Sequence, residues 1–331
     1  LSASYDDGKI AWYENDGSES FTEHTLSTSA TGARSVYASD VNGDGDMDVL
    51  SASWGGNRIA WYEQEEILIQ QTYVPDDNFE QALIDLGYDD VLNDSVMTAN
   101  ISGVTSLNVD NKQISDLTGI QGFTALELLY CENNQLTSLD ISNNPVLIQL
   151  HAADNQLTSL DLSNNSALTE LNVAHSQLTS LDVSNTLSLE LLELYENDLT
   201  SLDVSNNTAL NRLVVSYNQL DSLDVSNNTA LNDLHCNGNQ LTSLDVSDNT
   251  ALTYLGINNN QLSSLDVSSN TALAGLHCSG NNLDSLDVSV NTALTDLRCS
   301  NNSLTSLDVS NNTNLTILHC FNNQFTSLDV S

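Results

Sequence analysis

Leucine returns every 21 residues over more than half of the chain, at Leu126, Leu147, Leu168, Leu189, Leu210, Leu231, Leu252, Leu273, Leu294 and Leu315. Each opens a segment of the form L-x-x-L-x-(C/V/L/I/A)-x-x-(N/S). Ten residues later a nested segment follows, typified by LTSLDVSNN at 199–207. In an extended stretch side chains alternate between faces, so Leu202 and Val204 point inward while Ser201, Asp203 and Ser205 point out. One coil of 21 residues cannot bury its own leucines. Stacked coils bury each other's, with each strand pairing in parallel with the next about 4.8 Å away. Repetition is therefore the condition for a core, and the period predicts a mainly β solenoid with parallel strands, roughly 50 Å long for ten coils. The nested segment is extended in period and poor in helix formers, so a flattened, nearly straight rod is expected.

Repetition also stacks polar positions into columns. One runs Asn134, Asn155, Ser176, Asn197, Asn218, Asn239, Asn260, Asn281, Asn302 and Asn323; another runs Asn144, Asn165, Thr186, Asn207, Asn228, Asn249, Asn270, Asn291 and Asn312. Both mark sharp turns, where an inward amide is expected to satisfy backbone groups of the adjacent coil. Cys131, Cys236, Cys278, Cys299 and Cys320 occupy an inward site that Val, Leu, Ile and Ala fill in other coils, and read as small apolar fillers. Their number is odd and no CxxC occurs, so neither a disulfide scaffold nor a zinc site is indicated. An outward column, Asp140 to Asp329 at the same spacing, places like charges side by side. Flanking serines can donate to these carboxylates. The column reads as a solubilising face, with a cation-binding stripe as the sharper alternative.

The outward sites of the other strand differ from coil to coil. One column reads Tyr130, His151, Asn172, Glu193, Val214, His235, Gly256, His277, Arg298 and His319, with Tyr195, Arg212, Tyr254 and Phe321 beside it. Aromatic, His and Arg side chains on a rigid sheet suit recognition; drift on an unconstrained surface is the plainer reading. Arg298 is expected to pair with acidic groups of a ligand.

Residues 1–64 follow another rule. LSASYDDGKIAWYE (1–14) returns as LSASWGGNRIAWYE (50–63), and both read as short antiparallel strands between Gly/Asn/Asp turns. Between them lies DVNGDGDMDVL (40–50). Asp40, Asn42, Asp44 and Asp48, with a carbonyl from Asp46, offer the alternating oxygens that calcium takes; a turn held by Asx bonds is the alternative. Residues 65–72 read as a linker. In 73–103, Pro75 and Asp76 begin a helix with Phe79, Ala82, Leu83 and Leu86 on one stripe and Gly87 at its end, a cap for the array at 104–331.

Residues 1–64 resemble the FG-GAP/VCBS repeats of extracellular propellers, whose blades carry such a calcium loop. The 21-residue units resemble leucine-rich repeats of secreted, Bacteroidetes-type bacterial proteins, and VTSLNVDNKQISDLTGIQGFTAL (104–126) looks more like the repeats of internalin-type adhesins. Leu1 aligns with Leu50 inside a repeat and Ser331 falls within a coil, so both ends read as truncations. The resemblances imply a secreted or cell-surface protein. Six Lys plus Arg against 45 Asp plus Glu, a net charge of −39, disfavour nucleic acid and anionic lipid, and no apolar run is long enough for membrane insertion. No GxSxG, HExxH, P-loop or GxGxxG is present, and a uniform carboxylate ladder does not separate two pKa values as acid–base catalysis requires. The expected role is a monomeric, non-catalytic module that binds an extracellular protein or polysaccharide, with calcium as its cofactor. A passive stalk, or an accessory region of an enzyme whose catalytic domain lies elsewhere, is the alternative.

Overall fold

The computed structural model describes residues 1–15, 21–39, 41, 47–62 and 70–326. The chain divides into two compact units, Leu1–Ile69 and Gln70–Ser331.

In the first unit, β1 (Ser2–Ala3), β2 (Ile10–Asn15) and β3 (Phe21–Ser27) form one antiparallel sheet. β4 (Ala33–Ser39), β5 (Asp48–Ser53) and β6 (Arg58–Tyr62) form another. The repeated Ile-Ala-Trp-Tyr falls on β2 and on β6, as its alternation requires. Of the expected calcium ligands, Asp40, Asn42, Asp44 and Asp46 lie outside the described residues. Asp48 is buried, and its Oδ2 accepts the Val41 N–H at 3.0 Å.

The second unit opens with a cap. β7 (Gln71–Tyr73) pairs antiparallel with β8 (Ser95–Met97), so residues 71 and 72, expected in the linker, belong to the cap's own sheet. α1 (Asp77–Asp85) starts where Pro75 and Asp76 direct it, and Gly87, at φ 80°, ends it. Asp76 Oδ1 accepts the N–H groups of Asn78 and Phe79 at 3.0 Å each. Its Oδ2 accepts from Ser115 N–H (2.8 Å), Ser115 Oγ–H (2.7 Å) and Asp116 N–H (3.1 Å), tying the helix start to the first coil. Burial raises the Asp76 pKa, but these donors outweigh it and hold the carboxyl below the usual range. Phe79, Ala82 and Leu83 are buried as expected; Leu86 is not, because it falls at the helix C-cap, where the stripe has already turned to solvent. Glu80, which no sequence pattern marks as inward, is 1% exposed. Its carboxylate accepts the N–H groups of Asn93, Asp94 and Ser95 at 2.8–3.2 Å and closes that loop.

An eleven-stranded parallel sheet follows. Its strands, each of three residues, are β9 (Ser106–Asn108), β10 (Leu128–Tyr130), β11 (Gln149–His151), β12 (Glu170–Asn172), β13 (Leu191–Glu193), β14 (Arg212–Val214), β15 (Asp233–His235), β16 (Tyr254–Gly256), β17 (Gly275–His277), β18 (Asp296–Arg298) and β19 (Ile317–His319). From β10 onward every residue pairs with the one 21 positions on, as in Leu213 with Leu234. The internalin-like unit supplies β9, so the sheet has one strand more than the ten in-phase leucines. The inward leucines of successive coils form one continuous core with Phe79 and Phe123.

The opposite side departs from expectation. Among the described residues its Leu-Asp-Val segments form no strand. Some of their backbone groups have other partners: Ile141 C=O accepts Asn144 N–H and Asn165 Nδ2–H, and Ser142 N–H is donated to Asp140 Oδ1. The Asn columns perform as expected. Asn218 Nδ2 donates to Leu194 C=O in the preceding coil (2.8 Å) and to Val215 C=O (3.1 Å), while its Oδ1 accepts Leu199 N–H (3.0 Å). Asn228 Nδ2 donates to Val204 and Asn207 C=O at 2.9 Å each.

Asn228→Ala takes the second donor from two carbonyls, Val204 and Asn207, which keep their backbone N–H partners, and opens a cavity in the turn. It should lower the stability of the solenoid by about 2 kcal/mol or more in urea unfolding.

Candidate binding face

The parallel register gathers the variable residues onto one sheet face. Tyr130, His151, Glu193, His235, His277, Arg298 and His319 fall in a single column, one per coil, with Asn172, Val214 and Gly256 between them. Arg212 and Tyr254 belong to the adjacent column, two residues earlier. Tyr195 and Phe321 follow two residues beyond the first column, past the strand ends.

These side chains engage one another. Arg212 bridges Glu193 (3.1 Å) and Asp233 (2.5 Å) on the flanking strands. His235 Nε2 lies 2.7 Å from Asp233, and its ring stacks on Tyr254 at 4.5 Å between centroids. Tyr254 Oη is 2.6 Å from His277 Nδ1, and His277 Nε2 is 3.0 Å from Asp296 Oδ2. Arg298 grips Asp296 through Nε (3.1 Å) and Nη2 (2.9 Å). Arg298 is therefore paired within the face itself, with its side chain still partly exposed. His151 lies between Glu132 (3.6 Å) and Glu170 (3.5 Å).

Sequence reasoning missed the carboxylate partners Glu132, Glu170, Asp233 and Asp296. The signal was available: Asp233 and Asp296 stand two residues before His235 and Arg298, which in a strand is the same face. Burial raises the pKa of both aspartates, but their His and Arg partners outweigh it and hold them ionised. Burial lowers the pKa of His277 and, together with Asp233, raises that of Tyr254. Burial and then Asp110 raise that of Glu132.

The Asp column is built differently. From Asp140 to Asp308 each Oδ1 accepts the N–H of the serine two residues on, at 2.9–3.0 Å. The serine hydroxyl and N–H hold Asp203 and Asp224 below the usual carboxylate range. The column is thus a set of Asx turns that also faces solvent; Asp329 lies outside the described residues. Cys131, Cys236, Cys278 and Cys299 are buried, and Cys320 is partly so. Burial pushes the Cys236 thiol up to about 12, as suits a filler and not a nucleophile.

Comparison with known proteins agrees with this architecture. Residues 1–51 match the FG-GAP-like repeat, and residues 99–207 match the leucine-rich-repeat domain described for endo-beta-N-acetylglucosaminidase EndoS. Internalin J of Listeria monocytogenes serotype 4b (strain F2365) is 38% identical over 72 residues, 22% of this chain and 8% of its own length. The solved functional domain of InlJ from Listeria monocytogenes, described as including a cysteine ladder, is 36% identical with a TM-score of 0.74, over 79% of this chain and 64% of that one. The internalin InlF of L. monocytogenes strain F2365, 24% identical with a TM-score of 0.66 over 76% of this chain and 84% of that one, shares the fold. The chain is thus similar to internalin-like leucine-rich-repeat proteins over its solenoid and to an FG-GAP-like repeat over residues 1–51, and it spans less than two thirds of the InlJ domain. Among the described residues no helix is long and apolar enough to cross a membrane.

If the Asp column serves its turns, Asp203→Ala should destabilise the solenoid while Asp203→Asn, whose amide oxygen still accepts the Ser205 N–H, stays near wild type. The folded pKa values are lowered, so the column's contribution is present above the ordinary value of 3.8 and is lost as pH falls through the folded values. Thermal melts of both variants across that range check the assignment.

Proposed function

We propose that this chain is a non-catalytic binding module of a secreted or cell-surface protein, engaging a protein partner through the variable sheet face and acting as a monomer. One observation carries the reading. The face presents a fixed, non-repeating set of Tyr, His, Arg and Asp side chains locked together across coils β13 to β18, whereas the Asp side repeats one contact in each coil and can fix neither register nor specificity. A polysaccharide is the second reading, because residues 99–207 match a leucine-rich-repeat domain described as part of a glycosidase. A passive stalk would need no such network.

Protein and glycan arrays probed with the full chain identify the ligand. Tyr254→Ala and Arg298→Ala should then each weaken binding by about 2 kcal/mol, while Asp203→Asn and Asp224→Asn leave it unchanged. The reverse pattern would transfer recognition to the acidic column.

For the loop at 40–48 the reading is a calcium site built from Asp40, Asn42, Asp44, the Asp46 carbonyl and Asp48. Calorimetry should find one site with Kd of ~10⁻⁴–10⁻³ M, absent in Asp44→Ala; equal heats in the two proteins would leave a simple turn.

A further inference from the structure

Tyr254 stands on β16, in a seat that its own coil and the neighbouring ones provide. A Cβ at position 275 would come within 2.7 Å of its Cδ2, and one at 256 within 3.1 Å of its Cε1, so two glycines make room for opposite edges of the ring. His235 covers it by stacking, and its hydroxyl reaches His277.

The hydrogen-bond directions follow from Asp296. That carboxylate is held ionised by Arg298 and His277, so it only accepts. His277 Nε2, 3.0 Å away, must therefore carry the imidazole proton. In the neutral ring Nδ1 is then bare, and at 2.6 Å it takes the proton of the Tyr254 hydroxyl. Nothing of that donor is left for a partner; Tyr254 shows only oxygen lone pairs.

We propose that His277 gates the Tyr254 hydroxyl: a proton added at Nδ1 reverses the hydrogen bond, so that Tyr254 accepts from His277 and turns its own O–H outward to whatever occupies the face. The proton comes from solvent and no bond between heavy atoms changes. The inference rests on the reading of this face as the binding surface, and it names the regulation of that surface: its centre changes from acceptor to donor and gains one positive charge.

The charged groups around His277 set where this happens. From β18, Asp296 favours the imidazolium and Arg298 opposes it; from β15, His235 opposes it, while Asp233 acts on Tyr254 of β16 and raises its pKa. Burial is the largest influence and lowers the transition below the ordinary imidazole value of 6.5. The gate is closed at neutral pH and opens in mild acid.

The full chain labelled with ¹⁵N-histidine and ¹³C-tyrosine tests this without any ligand. At neutral pH His277 should show the Nε2–H tautomer. On acidification both nitrogens become protonated, and the Tyr254 Cζ signal should move with the same midpoint. Asp296→Asn keeps an acceptor for Nε2 but removes the charge, and should lower that midpoint by roughly 1 pH unit. A Nδ1–H tautomer at neutral pH, or a Tyr254 signal that ignores the His277 titration, overturns the gate, and the wild-type spectrum alone suffices should the variant not fold. Should the titration behave as stated while no partner binds the face, the gate stands and the binding reading falls.

Discussion

No coil of this solenoid can bury its own leucines, and the rest of the molecule follows from that dependence. Leu213 is enclosed because Leu192 and Leu234 lie in register on either side. The first coil has no predecessor, and the cap stands in for one: Phe79 packs against Phe123 at 6.5 Å, and Asp76 divides its two oxygens between the helix start and the Ser115–Asp116 backbone. The same strict register converts each local choice into a column. A turn that left one carbonyl unpaired would repeat the defect coil after coil, and the asparagines of the two columns answer this by donating from their own coil to the one before.

How far the sequence can be read depends on how tightly each feature is tied to the period. Leucines at constant spacing admit one register, because a slip by one residue would turn every leucine outward. Strand pairing, inward cysteines and Asn contacts were therefore legible to the residue. The nested segment was not. Its alternation is that of a strand, yet carbonyls such as that of Ile141 accept from Asn144 and Asn165 and N–H groups such as that of Ser142 go to the Asp140-type turn, which takes them out of a ladder. Glu80 was equally hidden, since the three N–H groups that hold it come from residues 93–95, which carry no pattern. The turn before each first-column Asn is left-handed in every coil, with φ of 51–69° at positions as unlike as Asn133, His175, Glu196, Tyr217, Gly238 and Gly280. Only position predicts it, because the coil needs the bend whatever residue it is given.

The two sides of the solenoid differ in what their side chains are bonded to. On the constant side Asp and Asn are bonded to backbone, so a change in one coil costs that coil its turn. On the variable side the side chains are bonded mostly to one another: Arg212 to Glu193 and Asp233, His277 to Tyr254 and Asp296. Constancy on the first side thus has a structural cause and says nothing of a ligand, while the second side is free to vary without unfolding a coil.

That freedom still has a steric limit, which sharpens what the variation means. With coils about 4.8 Å apart, a large side chain in one coil takes the space of its neighbour in the next. A Cβ at position 238 would meet Tyr217 Cδ1 at 2.8 Å, as one at 275 would meet Tyr254. Gly238 and Gly275 are therefore consequences of the tyrosines before them, and part of the diversity along the columns is packing. Packing does not require that the ring seated at 254 end in a hydroxyl aimed at an imidazole, nor that the imidazole be held from behind by an aspartate which an arginine also grips. Those polar contacts are what remains once the steric cause is subtracted, and they concentrate the case for recognition on β15 to β18 instead of spreading it over the whole sheet.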